Sequence, residues 1–211
     1  MKKIILFGAL ILFVLVGVIV ARTFLSEART VTLPVASMAN TILVGEKVAV
    51  ADVAGEIKRG DLVVFKSPKE PAILYLMRVI GLPGEVIQTR GKKVFINNAE
   101  LAERRVKVEF PQNPNAPGKA FKELAEEGEG GYRVYYTSAN WESGDSNDQM
   151  AKYATTSPYQ ILPGQYFVMG DCRDNSMDSR YWGSIAHAAI IGKATMILDS
   201  PNPARKSLTL K

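Results

Sequence analysis

Residues Gly164 to Gly183, GQYFVMGDCRDNSMDSRYWG, set an apolar run directly in front of a crowd of hydrogen-bonding side chains. Tyr166, Phe167, Val168 and Met169 read as a buried strand, and Gly170-Asp171 reads as the turn that ends it. Beyond the turn stand Arg173, Asp174, Asn175, Ser176, Asp178, Ser179 and Arg180. Such a loop is either a solvated, salt-bridged surface or a polar site held against the strand, and composition alone allows both.

The chain from Val31 onward repeats the first half of that pattern. Short apolar runs rich in Val, Ile, Phe and Tyr recur between Gly, Pro and Asn punctuation: Val48 to Val50, Leu62 to Phe65, Ile73 to Ile80, Val94 to Ile96, Tyr132 to Tyr136, Tyr166 to Met169 and Ile190 to Leu198. Runs of this length and composition predict strands, hence a mostly β domain. One stretch predicts a helix instead: Ala120 to Glu127, AFKELAEE, is built of good helix formers and stopped by Gly128. Between residues 97 and 162 the composition shifts toward Pro, Gly, Asn, Glu and Ser. FPQNPNAPGK and GEGG are loop signals there and SANWESGDSNDQ is a polar tract, which together read as an insertion. No internal repeat is visible.

The N-terminus is of another kind. After Met1-Lys2-Lys3, residues Ile4 to Ala21 carry no charge over eighteen positions. At about 1.5 Å per residue that is roughly 27 Å of helix, close to the thickness of a bilayer core. A cleaved secretory signal has a shorter apolar region, so the length predicts a retained transmembrane anchor, although Ser26-Glu27-Ala28 has the look of a cleavage site. Lys2 and Lys3 at one end are balanced by Arg22 and Arg29 at the other, and the charge rule barely orients the segment.

A chain of 211 residues, 47% hydrophobic, has room for one substantial core besides such an anchor. Its net charge of +5 is scattered and forms no aromatic-interleaved basic stripe, which argues against nucleic acid as a partner. With Cys172 the single cysteine and His187 the single histidine, neither an internal disulfide nor a zinc cluster is available. No metal and no other cofactor is expected. Cys172 itself is expected to be partly buried and inert.

The polar loop is more specific than its composition. GDCRDNSMDSRYWG resembles the GDxRxNSxDSRxxG box of the type I signal peptidases, membrane-bound serine proteases that remove signal peptides from exported proteins; Cys172 stands where that family has Asn. Three further stretches resemble the family's other boxes, in order. Leu33 to Val48 matches the nucleophile box, with Ser37 at the catalytic serine, Val35 where many members carry a Ser that helps the Ser37 backbone hold the oxyanion, and Asn40 in place of the usual Pro. Lys58 to Phe65 matches RGDIVVF. Met77 to Glu85, MRVIGLPGE, matches KRVIGLPGD, which puts Met77 at the catalytic lysine.

The substitution at Met77 bears on the chemistry. A serine hydroxyl must lose its proton to a base as it attacks. The family uses a lysine amine kept neutral by burial. Methionine has similar length and volume, but a thioether takes up no proton. Lys66 and His187 fall at ordinary structural positions and do not replace it. The resemblance further implies that Ser176 hydrogen-bonds the lysine, that Asp178 and Arg180 form a supporting charged pair, and that Asp171 opens the loop and caps its turn. With Met77 present, Ser176 has lost that expected partner, although an exposed hydroxyl can bond water instead.

The resulting expectation is a signal-peptidase-like antiparallel β-sheet core over residues 30–96 and 163–199, a β-rich cap over 97–162, a cytoplasmic stub at 1–3, a transmembrane helix at 4–21 and a tail at 200–211. The implied function is a membrane-bound serine endopeptidase. It acts outside the cytoplasmic membrane, against its lipid surface, on exported precursors with small residues at −1 and −3, or on one dedicated pilin or conjugation protein. The alternative is a catalytically silent relative that binds exported substrates or assists assembly of a surface structure. An unrelated anchored β module would leave four ordered boxes to coincidence.

Overall fold

The computed structural model describes residues 29–138, 141 and 151–210. The anchor read at Ile4–Ala21, its orientation, and most of the polar tract at 138–149 lie outside the described residues. Among the described residues no helix is long and apolar enough to cross a membrane.

Strands are numbered in chain order. The central sheet has seven: β1 (Arg29–Thr32), β2 (Lys47–Ala51), β3 (Leu62–Lys66), β4 (Leu74–Gly81), β12 (Gln165–Met169), β13 (Ile185–Ala186) and β14 (Ile190–Asp199). They lie in the order β1-β2-β14-β3-β4-β12-β13, and every neighbouring pair is antiparallel. The continuous apolar runs become its inner strands because both faces are covered. Leu76 packs on one side with Met38, Ile42 and Val64, while Met77 and Val79 pack on the other with Val63, Phe65 and Val168.

Two smaller sheets complete the domain. β5 (Val86–Arg90), β6 (Lys93–Ile96), β7 (Ala99–Glu100) and β11 (Tyr159–Gln160) form one, in the order β11-β5-β6-β7. β8 (Arg104–Glu109), β9 (Lys122–Glu127) and β10 (Arg133–Thr137) form the other, in the order β10-β8-β9. Within it β8 and β10 run parallel, unlike the strand pairs of the other two sheets.

The helix expected at Ala120 to Glu127 is instead the edge strand β9, exposed along its whole length. Helix propensities differ by only tenths of a kcal/mol between such residues, and the sheet offers more. Backbone pairing with β8 joins ion pairs from Glu123 and Glu126 to Arg133, and from Glu127 to Arg105.

Candidate active site

Ser37 sits in a single 3-10 turn, Ala36–Met38, between β1 and β2. Its two neighbours fix it: Ala36 and Met38 are buried in the core, and Ala39 N–H closes the turn on the Ala36 carbonyl at 3.1 Å. The polar loop then grips the turn from the far side. Cys172 N–H donates to the Ser37 carbonyl at 3.0 Å, and Asp171 N–H to Met38 Sδ at 3.4 Å.

Strand register brings the other residues to the same place. In the β4 and β12 pair Met169 lies opposite Arg78, so the next residue beyond β12, Gly170, comes level with Met77. Gly170 must be small, since a Cβ there would lie 2.2 Å from Ser176 Oγ and 2.6 Å from the Ser37 carbonyl oxygen. One position without a side chain thus lets the two serines approach from either side.

The loop itself is held by buried ions. Arg78 donates from Nε and Nη2 to the two oxygens of Asp171 at 2.8 and 2.7 Å, and from Nη1 to the Gly60 carbonyl at 2.7 Å. Thr41 Oγ1 adds a third bond to Asp171, at 2.6 Å. Asp171 is therefore more than the turn cap expected of it: it ties β4 to the segment after Ser37. Burial alone would lower the Arg78 pKa, but the Asp171 carboxylate overrides that and holds it above its ordinary value.

Asp178 and Arg180 form the expected pair, 2.8 Å apart at both oxygens; Asp178 also accepts Gly170 N–H at 3.1 Å. Arg180 reaches on to the Arg173 carbonyl at 2.7 Å. Arg173 in turn pairs with Glu103 inside the domain, an ion pair that no sequence pattern announced.

Val35, Ser37, Met77 and Ser176 line one cleft of about 460 Å³, together with Tyr75, Asn115, Asp174 and Tyr181. Met77 is 2% exposed, so its thioether fills the slot between strands. Ser176 lies inside the fold. Its hydroxyl is buried against Gly170 and has no hydrogen-bond partner among the described residues. Lys66 and His187 are exposed and neither lines the cleft. Among the described residues no cluster of His, Cys, Asp or Glu has the form of a metal site.

Of the cleft residues given no site role from the sequence, Asp174 and Asn115 hold backbone groups with their side chains. Asp174, inside the recognised box, accepts Thr137 N–H and Oγ1 on one oxygen at 2.7 and 3.1 Å, while its other oxygen is buried without a partner among the described residues. Asn115 comes from the Pro- and Asn-rich insertion loop and accepts Ala36 N–H on Oδ1 at 3.0 Å. Loop composition was the sole signal for it.

A model of the signal peptidase family, peptidase S26, matches residues 4–198. The chain belongs to that family. It is 32% identical to a signal peptidase I of Pseudomonas fluorescens over 90% of its own length and 71% of the relative's. It is 30% identical to a signal peptidase I of Aquifex aeolicus, over 87% and 80%. A crystal structure of a signal peptidase I from Enterococcus faecalis aligns at 24% identity and a TM-score of 0.39, over 66% of this chain and 97% of that one. Membership brings signal-peptide removal by a serine peptidase as the family's activity.

Within this signal peptidase fold the departures at Asn40 and Cys172 have structural accounts. Asn40 makes a two-point bond to Phe121, accepting its N–H at 2.7 Å and donating to its carbonyl at 2.9 Å, so it fastens the segment after Ser37 to the residue that precedes β9. Cys172 is fully buried, further than expected, and burial pushes its thiol well above the ordinary range, which disfavours the nucleophilic thiolate. Val35, 42% exposed at the cleft margin, has no hydroxyl to offer.

Proposed function

We propose that the Ser37 cleft receives the cleavage region of exported precursors, as in a signal peptidase I-type serine endopeptidase, and that Met77 keeps this chain from completing the reaction at more than a residual rate. In this reading Ser37 is the nucleophile, position 77 is the seat of the base, and Ser176, Asp178, Arg180 and Asp171 support them. One observation carries it. Among the described residues the buried Ser176 hydroxyl is left unpartnered in a cleft that Met77 also lines, which supports a site whose lysine has been replaced and whose surroundings are kept.

The eighteen-residue uncharged run supports a membrane anchor at Ile4–Ala21, with the domain on the extracytoplasmic side facing lipid. Substrates are then precursors with small residues at −1 and −3, whose side chains suit a cleft margin crowded by Val35, Tyr75 and Tyr181. Residues 30–96 and 163–199 act as the core and 97–162 as the cap.

Anisotropy of a labelled peptide with Ala at −1 and −3 tests the reading on the unmodified protein. Saturable binding that is lost when the −1 Ala becomes Trp is the expected result. Equal binding of both peptides, or of neither, would contradict it. Membrane fractions should hold the protein, and protease added outside the cytoplasm should digest everything after about Arg22.

A further inference from the structure

We infer that Asn115, a residue of the insertion loop, supplies the side-chain hydrogen bond to the substrate carbonyl that Val35 cannot give. The inference rests on the reading of the Ser37 cleft given above. Its starting point is the direction of one amide group. Ala36 N–H is a donor, so the atom facing it at 3.0 Å must be the acceptor Oδ1, and the Nδ2 group of Asn115 is thereby turned away from the turn. That group has no hydrogen-bond partner among the described residues, and Asn115 lines the cleft shared by Ser37, Met77 and Ser176.

The location matters because of what happens at the neighbouring residue. As Ser37 Oγ bonds to the scissile carbonyl carbon, the carbonyl π pair moves onto oxygen and the hydroxyl proton leaves for a base. The developing charge falls beside the backbone of Ser37, one residue from the N–H that Asn115 already holds. A donor fixed in advance there stabilises the oxyanion without reorganising at the moment of reaction. Its anchor is stable, since the loop is itself ordered by Asn113 Oδ1, which accepts Asn115 N–H at 3.0 Å.

The test uses the full-length protein carrying Met77→Lys, in which the hydroxyl proton has an amine to go to. Asn115→Ala should then lower kcat by about 10² to 10³ while KM changes little, the usual cost of one lost oxyanion donor. Adding Val35→Ser to Asn115→Ala should recover most of that loss, because it returns a hydroxyl to the same oxygen. A residue that merely anchored the turn would show no such rescue. An unchanged kcat in Asn115→Ala, or a loss that Val35→Ser leaves in place, overturns the inference.

A second arm needs no turnover. A peptide aldehyde ending in Ala, which adds the Ser37 hydroxyl across its carbonyl as a hemiacetal, should bind the unmodified protein more tightly than the matched peptide alcohol, and Asn115→Ala should abolish that preference. A preference kept in Asn115→Ala overturns the role of Asn115 alone. Failure of both probes to bind the unmodified protein overturns the reading of the cleft and this inference with it.

Discussion

Arg78 and Asp171, 93 positions apart, meet in two parallel hydrogen bonds of 2.8 and 2.7 Å with both side chains 1% exposed. Because Arg78 follows Met77 on β4 and Asp171 opens the loop that carries Asp174 and Ser176, this pair ties together two segments that line the cleft. Thr41, on the segment leading away from Ser37, joins the same carboxylate.

Removing one partner strands the other charge in the interior. Asp171→Ala is expected to cost about 3–5 kcal/mol, the usual effect of breaking a buried pair. The double variant with Arg78→Met should lose less than the two single variants added together. Urea denaturation measures both; a cost for Asp171→Ala below about 1 kcal/mol would show the pair to be incidental.

Ser176 should change sign with its neighbour. In the unmodified protein its buried hydroxyl has no partner among the described residues, and such a group costs about 1–3 kcal/mol. Ser176→Ala should therefore leave stability unchanged or raise it. In the Met77→Lys protein the same substitution removes the partner of the amine and should lower both stability and turnover. Thermal melts of the four proteins form the cycle, and equal effects of Ser176→Ala in both backgrounds would contradict the account.

Tyr135 gives a pH signature to the sheet that backs the loop. Burial pushes its phenol up to about 12, against about 10 in an unfolded chain. The folded state thus keeps a proton that the unfolded state gives up. The stabilisation is complete below pH about 10 and is lost as pH rises toward about 12. Stability of the unmodified protein should fall across that window, and Tyr135→Phe should flatten the fall. An unchanged slope in Tyr135→Phe would assign the dependence to other groups.

The parts of this fold that announce themselves in sequence are those decided by local pattern. Leu62 to Phe65 and Ile190 to Leu198 are apolar enough to be inner strands in any context, and β3 and β14 are there. AFKELAEE misleads because its charges satisfy either structure alone, and partners on β8 and β10 decide for a strand. Within the site, Ser37, Met77 and Ser176 were legible from ordered boxes. The burial of the Ser176 hydroxyl was not, because it depends on Gly170 arriving level with Met77 through strand register. Asn115 was less legible still. Nothing in a Pro-rich loop states that one of its amides will turn back onto Ala36.

The central claim is that a single missing proton acceptor separates this chain from an active signal peptidase. A positioned general base contributes about 10² to 10⁴ in rate. Cleavage of a precursor with Ala at −1 and −3 by the unmodified protein, by Met77→Lys and by Met77→Lys/Ser37→Ala measures that directly. The account predicts little or no product from the first, measurable product from the second and none from the third. Robust cleavage by the unmodified protein that depends on Ser37 would contradict it.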